Sequence, residues 1–431
     1  MKKNYLVILI GLALASCGDI IVSVNEDLII DEEKKEVEED EIFRHDIELS
    51  DIESNIVDTQ TEFACNFFRA SLSNNKGDNF VISPLSAYMD LSMVANGASG
   101  KTASEITSIL MGDNSTIEEV NTFNKRLATE LSAMDNRAKL KLSNSIWYNS
   151  DIQVKPSFLN VNKEYYDALS TSLDFTKRES FDVMDKWVDD ATNGLIKSFP
   201  TRTPFQFAIV NALYFNGKWA YPFDPDDTKD DKFINGDGSV SVVKMMEKYG
   251  CEYYEPSQEN GKFVVVQIPY GNWSYTFNVA FSISDDDLSL DGIENVIVPE
   301  NIKRMNDSMR SGGTIKLPRF EVSTTGGITY AMENLGIKEL FNGNPDLSGI
   351  TNSKIGQLSI LQESVIKVDE SGAKAGSATA MIPIGGLLDG PTPDAPKSFI
   401  VNSPFVFFIM EQSTNTILFM GKVDKLENAK E

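Results

Sequence analysis

The chain has few of the residues that usually carry out catalysis. Its 431 residues include one histidine, His45, and three cysteines. A Ser-His-Asp or Cys-His nucleophile system needs a histidine beside the nucleophile, and many catalytic zinc sites use histidine ligands. His45 lies in an acidic run ahead of the main part of the chain. We therefore predict neither an enzyme nor a histidine-based metal site.

Paired carboxylates are the other candidates for catalysis, because two acids can together hydrolyse a glycosidic bond. No pair stands out among the 64 Asp and Glu residues, most of which are expected to be solvated surface charges. The sequence has no glycine-rich loop with phosphate- or dinucleotide-binding spacing. A net charge of −25 argues against nucleic acid, which binds basic surfaces. The composition favours a binding or inhibitory protein without a cofactor.

One long segment has a composition that a packed core would not use. Small side chains bury little apolar area, and they do not obstruct a strand that slips between two others. Glycines and prolines follow from Gly385 to Pro396, as in an exposed loop. The segment is thus either a flexible surface loop or a protease-accessible chain whose first half can become a strand. Its small residues are Gly372, Ala373, Ala375, Gly376, Ser377, Ala378, Thr379 and Ala380.

The first residues have the pattern of an export signal. Lys2 and Lys3 precede an apolar run from Leu6 to Ala15, which is too short to span a membrane. The run ends at Cys17 in a sequence that resembles a bacterial lipobox, so residues 1–16 are predicted as a lipoprotein signal peptide and Cys17 as the lipidated anchor. An ordinary secretory signal is the alternative. Gly18 follows, where a residue that retains lipoproteins in the inner membrane often stands, which favours the outer membrane of a bacterial envelope.

Residues 17–50 are predicted as a disordered tether. Residues 18–50 hold thirteen acidic and three basic side chains, and such self-repelling segments stay extended. An acidic partner-binding tail is the competing interpretation. Residues 51–431 then form one large domain. Cys65 and Cys251 within it could form a disulfide, although a pair of buried, unpaired thiols is favoured.

Helical and strand patterns alternate along this domain. Apolar residues recur at helical spacing from Ile56 to Phe68, and a short strand at 79–82 is followed by a buried helix at 91–98. The run from Phe207 to Phe215 is apolar on both faces, which is typical of a central strand covered on both sides. Further strands are predicted at 262–269, 276–284, 314–322, 398–410 and 416–423, and a helix at 327–335 closed by Gly336.

Several of these stretches resemble, in order, the signature motifs of serpins, the serine protease inhibitors. The resemblance covers nearly the whole domain and implies an α+β serpin fold. That fold has a large, mostly antiparallel central sheet, smaller sheets, a set of helices and an exposed reactive-centre loop, here about 370–397. The motifs are NFVISPLS at 79–86, NGASGKT at 96–102, WVDDATNGLIKSF at 187–199, VNALYFNGKW at 210–219, LPRF at 317–320, VDESGAKAGSATA at 368–380, PFVF at 404–407 and FMGKV at 419–423.

The resemblance also implies a function, suicide-substrate inhibition of serine proteases by a monomer. The target protease cleaves the loop and forms an acyl-enzyme, and the freed loop inserts into the central sheet before water can release the protease. Glu370, Gly372 and the small residues Ala373, Ala375, Gly376, Ser377, Ala378 and Thr379 match the hinge of the loop. Ser83, Ser86, Asn211 and Gln362 match the shutter beneath the opening strands, and Trp219 matches the breach where insertion begins.

The sequence departs from the family pattern at three points. Gln362 replaces a histidine common in the shutter, and Lys374 stands where the hinge usually has an acid. The loop is also long, so that counts from its two ends give different scissile bonds. The count from Glu370 is preferred, because insertion length is set from the hinge. It places cleavage at Gly386-Leu387, with Leu388 and Met381 as alternates.

The loop composition limits the target proteases. No lysine or arginine lies between Ala375 and Pro396, which disfavours trypsin-like enzymes. Elastase-, subtilisin- or chymotrypsin-like targets are predicted, and a papain-like cysteine protease remains open. The alternative function is that of a non-inhibitory serpin-fold surface lipoprotein acting in binding or adhesion, since fold alone does not fix function.

Overall fold

The structure is a computed structural model that describes residues 44–112, 115–199, 201–256, 261–284, 286–356, 358–372 and 397–429. The predicted signal peptide, Cys17 and most of the predicted tether lie outside the described residues. Within the predicted tether, Ile47 is buried and its N–H donates to Ser413 Oγ at 2.9 Å. The packed part of the chain therefore begins before residue 51.

Most helices of the described chain pack on one side of the central strands. They are α1 (Asp51–Asn74), α2 (Pro84–Ala95), α3 (Gly100–Leu110), α4 (Ile117–Ala133), α5 (Pro156–Tyr166), α6 (Arg178–Ala191), α7 (Pro299–Ser308) and α8 (Thr329–Asn334). Local sequence explains the starts of α1 and α2. Ser50 and Glu53 form a capping box at the start of α1, and Ser83 caps α2 ahead of Pro84.

The larger sheet has nine strands and supplies the apolar scaffold. Its order is β1-β14-β13-β8-β7-β6-β9-β12, and β5 pairs with β6. The strands are β1 (Phe80–Ile82), β5 (Lys229–Ile234), β6 (Val240–Tyr254), β7 (Phe263–Pro269), β8 (Tyr275–Ser282), β9 (Arg310–Pro318), β12 (Ser398–Ile400), β13 (Phe405–Glu411) and β14 (Ile417–Val423). β7, β8 and β13 are buried along their whole length.

The smaller sheet has five strands in the order β10-β11-β4-β2-β3. They are β2 (Ala138–Asn149), β3 (Leu169–Leu173), β4 (Phe207–Gly217), β10 (Phe320–Gly327) and β11 (Leu358–Val368). β4 is central and buried almost throughout, as its apolar run predicts. It pairs antiparallel with β2 over eleven residues and parallel with β11.

Two predicted strands are each divided in the structure. The predicted strand at 314–322 is β9 and β10, which belong to different sheets and meet at Arg319. The predicted strand at 398–410 is β12 and β13, separated by residues 401–404. An apolar pattern with a period of two marks strand conformation, but it does not show where the chain leaves one sheet for another.

Helix α6 covers the outer face of the five-stranded sheet, on β2 and β4. A small apolar cluster lies between them and includes Phe181 and Met184 of α6 and Val210 of β4, with Leu361 of β11 packed against it. Helix α2 packs on the opposite, inner face of β4. β4 and β11 thus lie between two helical layers.

Three further observations concern the described residues. Cys65 and Cys251 are buried with free thiols. Within the described ranges, none of the helices combines the length and apolar character that crossing a membrane would need. The same ranges hold no group of three or more His, Cys, Asp or Glu side chains placed to bind a metal ion.

Candidate functional site

The pairing between β4 and β11 stops halfway along the two strands. Their parallel register runs from Leu358 opposite Phe207 to Gln362 opposite Asn211. Both strands continue for six more residues, but no registered pair joins their upper halves. We call the boundary between β4 and β11 the seam. Unpaired strand edges are templates for another strand, so the upper seam is a place where the sheet can accept one.

At the end of this ladder, Gln362 binds Ser83, the residue that caps α2. Its Oε1 accepts from Ser83 N at 2.9 Å and its Nε2 donates to Ser83 O at 2.8 Å. The Ser83 hydroxyl donates to Ser86 Oγ at 2.9 Å. All three residues are buried. The glutamine therefore uses both ends of its amide on the backbone N–H and C=O of one residue, and it ties β11 to the start of α2.

Asn211 lies beside this contact but does not join it. Its Nδ2 donates to Asn144 Oδ1 of β2 at 2.6 Å, whereas its own Oδ1 is buried and has no hydrogen-bond partner among the described residues. The predicted shutter residues Ser83, Ser86, Asn211 and Gln362 are thus brought together. However, Gln362 bonds the backbone of α2 and leaves an Asn211 acceptor unpaired.

A second unpaired group lies on α2 beneath the sheet. Asp90 is completely buried, and neither of its carboxylate oxygens has a hydrogen-bond partner among the described residues. Burial raises the pKa of Asp90 well above its ordinary value. Asp90 follows Ser86 by one helical turn, which places it on the same face of α2. Sequence analysis did not single out this residue.

The upper end of β11 is held much more firmly. The indole of Trp219 stacks on Tyr270 with ring centroids 4.4 Å apart and an angle of 6°, and it contacts Phe277 edge-on. Trp219 Nε1 donates to Asp369 O at 2.9 Å, and Trp219 N donates to Ser371 O at 3.1 Å. The predicted breach residue thus fastens the segment immediately before the loop.

Glu370 adds a charged contact at this upper end. Its Oε1 accepts from Arg319 Nε at 2.7 Å and from Thr228 Oγ1 at 2.5 Å, and Phe223 N donates to its backbone carbonyl at 2.9 Å. Burial alone would raise the pKa of Glu370, but the bonds from Arg319 and Thr228 outweigh it and lower the pKa. Arg319 stands in the LPRF motif, but neither it nor Thr228 was predicted as a partner of Glu370, because both come from distant segments.

Gly372 is the last described residue before the loop, and its backbone needs glycine. Its φ of +123° is in a region that residues with a side chain rarely adopt, and a Cβ there would overlap the carbonyl oxygen of Gly217. Gly372 forms an isolated bridge with Lys218 at the top of β4. The two sides of the seam are therefore paired up to Gln362 and bridged again at Gly372, and no registered pairs join the residues between these two points.

The two ends of the loop belong to different sheets. Glu370 and Gly372 follow β11 of the five-stranded sheet, while Lys397 O accepts from Thr314 N of β9 at 2.8 Å and β12 pairs in parallel with β9 in the nine-stranded sheet. The remaining predicted site residues lie outside the described residues: Ala373, Ala375, Gly376, Ser377, Ala378, Thr379, Met381, Gly386, Leu387, Leu388 and Cys17.

The chain is similar to characterised proteins over most of its length. A family model described as "Serpin (serine protease inhibitor)" matches residues 58–426. Human neuroserpin is 27% identical over 374 residues, which cover 84% of this chain and 90% of neuroserpin. The native structure of the thermophilic serpin tengpin has a TM-score of 0.78 at 24% identity, covering 89% of this chain and 96% of tengpin. Human thyroxine-binding globulin bound to its hormone has a TM-score of 0.77 at 22% identity, covering 88% of this chain and all of that one.

Proposed function

The chain belongs to the serpin family, and we propose that it is a suicide-substrate inhibitor of serine proteases. The loop after Gly372 is the bait, and the seam between β4 and β11 receives it after cleavage. One observation carries the proposal. The ladder between these central strands ends at Asn211 and Gln362, and the small residues of the hinge start at Gly372, four residues after the end of β11.

The covalent step uses the nucleophile of the protease. Its serine oxygen attacks the carbonyl carbon of Gly386, the bond to the nitrogen of Leu387 breaks, and the new amine takes the proton. The protease is then esterified to Gly386, at the end of a chain that is free to move. Residues 387–431 remain associated through β12, β13 and β14, which belong to the nine-stranded sheet.

The length of the hinge segment fits insertion along the seam. Residues 373–386 would span about 46 Å as a strand. The eleven residues of β4 span about 36 Å by the same rise per residue. An inserted strand would therefore run the whole length of β4 and carry the esterified protease to the opposite end of the sheet. Cleavage at Met381 would leave a segment too short for this.

The direct test is to mix the full chain with elastase, subtilisin, chymotrypsin and trypsin. The products are then analysed on denaturing gels and by mass spectrometry. We expect a denaturant-stable complex with one or more of the first three enzymes, and a released peptide that begins at Leu387. Cleavage by every enzyme with no complex would contradict inhibition and favour the non-inhibitory binding protein. A complex with a papain-like protease alone would move the target class to cysteine proteases.

A disulfide across the seam provides a matched control. Val210 and Leu361 are register partners on the outer face, at a strand separation within reach of a disulfide. The oxidised variant carrying Val210→Cys and Leu361→Cys should be cleaved without forming a complex, because the strands cannot part. Reduction should restore the complex in the same sample. Complex formation by the oxidised protein would show that this seam is not the insertion site.

We also propose that Cys17 carries lipid and holds the inhibitor at a bacterial outer membrane. The signal-like residues 1–16 and the acidic stretch after Cys17 support this assignment. Labelled fatty acid should be incorporated into the wild-type chain and not into Cys17→Ser. Equal labelling of both forms would contradict lipidation at Cys17. Membrane fractionation of the two forms would test the location at the outer membrane.

A further inference from the structure

Glu363 is a half-buried acid in the middle of the seam, and the proposed mechanism does not use it. It follows Gln362, at the point where the ladder with β4 ends. Thr325 Oγ1 of β10 donates to its Oε1 at 3.2 Å. Its other oxygen, Oε2, is buried and has no hydrogen-bond partner among the described residues. A partly satisfied carboxylate of this kind is costly when ionised.

The side chain of Glu363 faces helix α6. Leu361, two residues earlier on the same face of β11, packs against the cluster that includes Phe181 and Met184 of α6. Burial raises the pKa of Glu363 to about 6; the Thr325 bond opposes this rise, and the negative charge of Asp185 on α6 makes a smaller contribution that adds to it. Helix and strand thus each present an acid to their shared boundary.

In the described part of the chain, neither a hydrogen bond nor an ion pair joins Glu363 to a cation. Arg202, which follows α6, gives Nη1 and Nη2 to the two oxygens of Asp185 at 2.8 Å each. On β11, Lys367 lies four residues beyond Glu363 on the same face of the strand. Its Nζ pairs with Glu321 Oε2 of β10 at 3.9 Å. From β10, the group that reaches Glu363 is the uncharged Thr325 hydroxyl. When Glu363 is ionised, its buried Oε2 can gain a hydrogen-bond donor from water if α6 loosens from the sheet.

Loosening of α6 matters for insertion. The helix packs on β2 and β4, and its apolar cluster reaches across to Leu361 of β11. A strand entering between β4 and β11 would separate the residues that this cluster joins, so α6 must yield first. We propose that Glu363 is an acid-sensitive latch: protonated, it lets α6 rest closely on β11, and ionised, it loosens the helix and speeds entry of the loop. This regulation rests on the proposed inhibitory function.

The direction of this pH dependence follows from the linkage between proton binding and stability. A carboxyl whose pKa is higher in the folded protein favours the closed native packing at low pH. Its penalty grows as the pH rises from the ordinary value of 4.5 through about 6 and is complete above that. The closed state is therefore strongest in mild acid. Above about pH 6, Glu363 is ionised and entry of the loop into the seam is faster.

The experiment compares Glu363→Gln with Glu321→Gln. The second variant makes the same change at an exposed position of β10, on the face of the sheet that carries Glu363. Hydrogen exchange of the α6 amides is measured on the uncleaved full chain at pH 5 and pH 7.5 and corrected for intrinsic rates. In wild type and Glu321→Gln, protection should fall several-fold at the higher pH. In Glu363→Gln, the protection of the α6 amides at pH 7.5 should stay near its value at pH 5. An unchanged pH response in Glu363→Gln would overturn the proposal.

A second measurement separates this proposal from the inhibitory function. The ratio of complex to cleaved product is determined for both variants with the same protease, so that the pH response of the protease cancels. Glu363→Gln should give several-fold less complex than Glu321→Gln at pH 7.5 and an equal yield at pH 5. Equal yields at both values would overturn the link to insertion. Absence of complex from every variant would instead contradict the inhibitory function, and hydrogen exchange would still decide the latch.

Discussion

Glu363 and Glu370 are acids on the same segment of chain, seven residues apart, in opposite environments. Glu370 accepts hydrogen bonds from Arg319 and Thr228, and its pKa is lowered. Glu363 has a weak partner in Thr325 and a buried oxygen without one, and its pKa is raised to about 6. The upper end of the seam is therefore fastened by satisfied contacts, and its middle is not.

This difference shows how one sheet can be both ordered and ready to open. The unpaired oxygens of Asn211 and Glu363 lie where the β4–β11 ladder ends, and those of Asp90 lie on α2, one helical turn after Ser86. Buried acceptors without donors raise the free energy of the native state. The contacts of Trp219 and Glu370 hold the seam closed at the top. In the proposed mechanism, cleavage of the loop frees the chain that follows these contacts.

The largest effect is expected at the fastened end. Trp219→Ala should lower the free energy of unfolding by about 3–5 kcal/mol, because it removes a fully buried indole and its bond to Asp369. Denaturant unfolding measures the change. Trp273→Ala is the control, since Trp273 is only half-buried, and it should cost far less. Equal costs would mean that the upper end is not specially held.

Gln362→Leu tests the lower limit of the open stretch. It leaves the N–H and C=O of Ser83 buried without their partners, so the free energy of unfolding should fall by about 2–3 kcal/mol. Gln412→Leu, in the turn that follows β13, is the control, because the Gln412 amide donates to the Thr276 hydroxyl, which can rotate to another partner. A smaller loss at Gln362 than at Gln412 would contradict the tie between β11 and α2.

Asp90→Leu should do the opposite and stabilise the protein. Replacing a buried acid without partners by an apolar side chain should raise the free energy of unfolding by about 1–2 kcal/mol. Because the folded pKa of Asp90 is raised, wild-type stability falls with increasing pH, and the gain should be larger at pH 8 than at pH 5. Asp58→Leu, exposed on α1, should show no such gain. A destabilised Asp90→Leu would mean that the acid has a partner after all.

Glu370→Gln has the smallest expected effect and the opposite pH dependence to Glu363. The lowered pKa means that Glu370 stabilises the native state above its ordinary value of 4.5 and loses this contribution as the pH falls through the folded pKa. The variant should be less stable by about 1 kcal/mol at pH 7 and equal to wild type in strong acid. Thermal unfolding across this range checks both. A deficit that persists in acid would show that the charge is not the cause.

The elements were largely predictable from sequence because their signals are local. The apolar run at 207–215 is β4, the spacing around Phe63 and Phe67 is α1, and the helix closed by Gly336 is α8. The α+β serpin fold was predicted from ordered motifs, and the family match and solved structures confirm it. The position of the scissile bond, the target class and the lipid anchor stay predictions, since the residues concerned lie outside the described ranges.

Other features depended on contacts between distant segments. Sequence alternation places Glu363 on the outer face of β11, but only the packing of α6 decides that this face is covered. Glu370 was predicted as a hinge residue, but its partners Arg319 and Thr228 come from two other parts of the chain. The sequence alone determined strands, helices and a hinge of small residues, because these depend on local conformation and side-chain size. The tertiary structure alone decided which acids are satisfied and where the ladder stops, because burial and pairing arise only when remote segments meet.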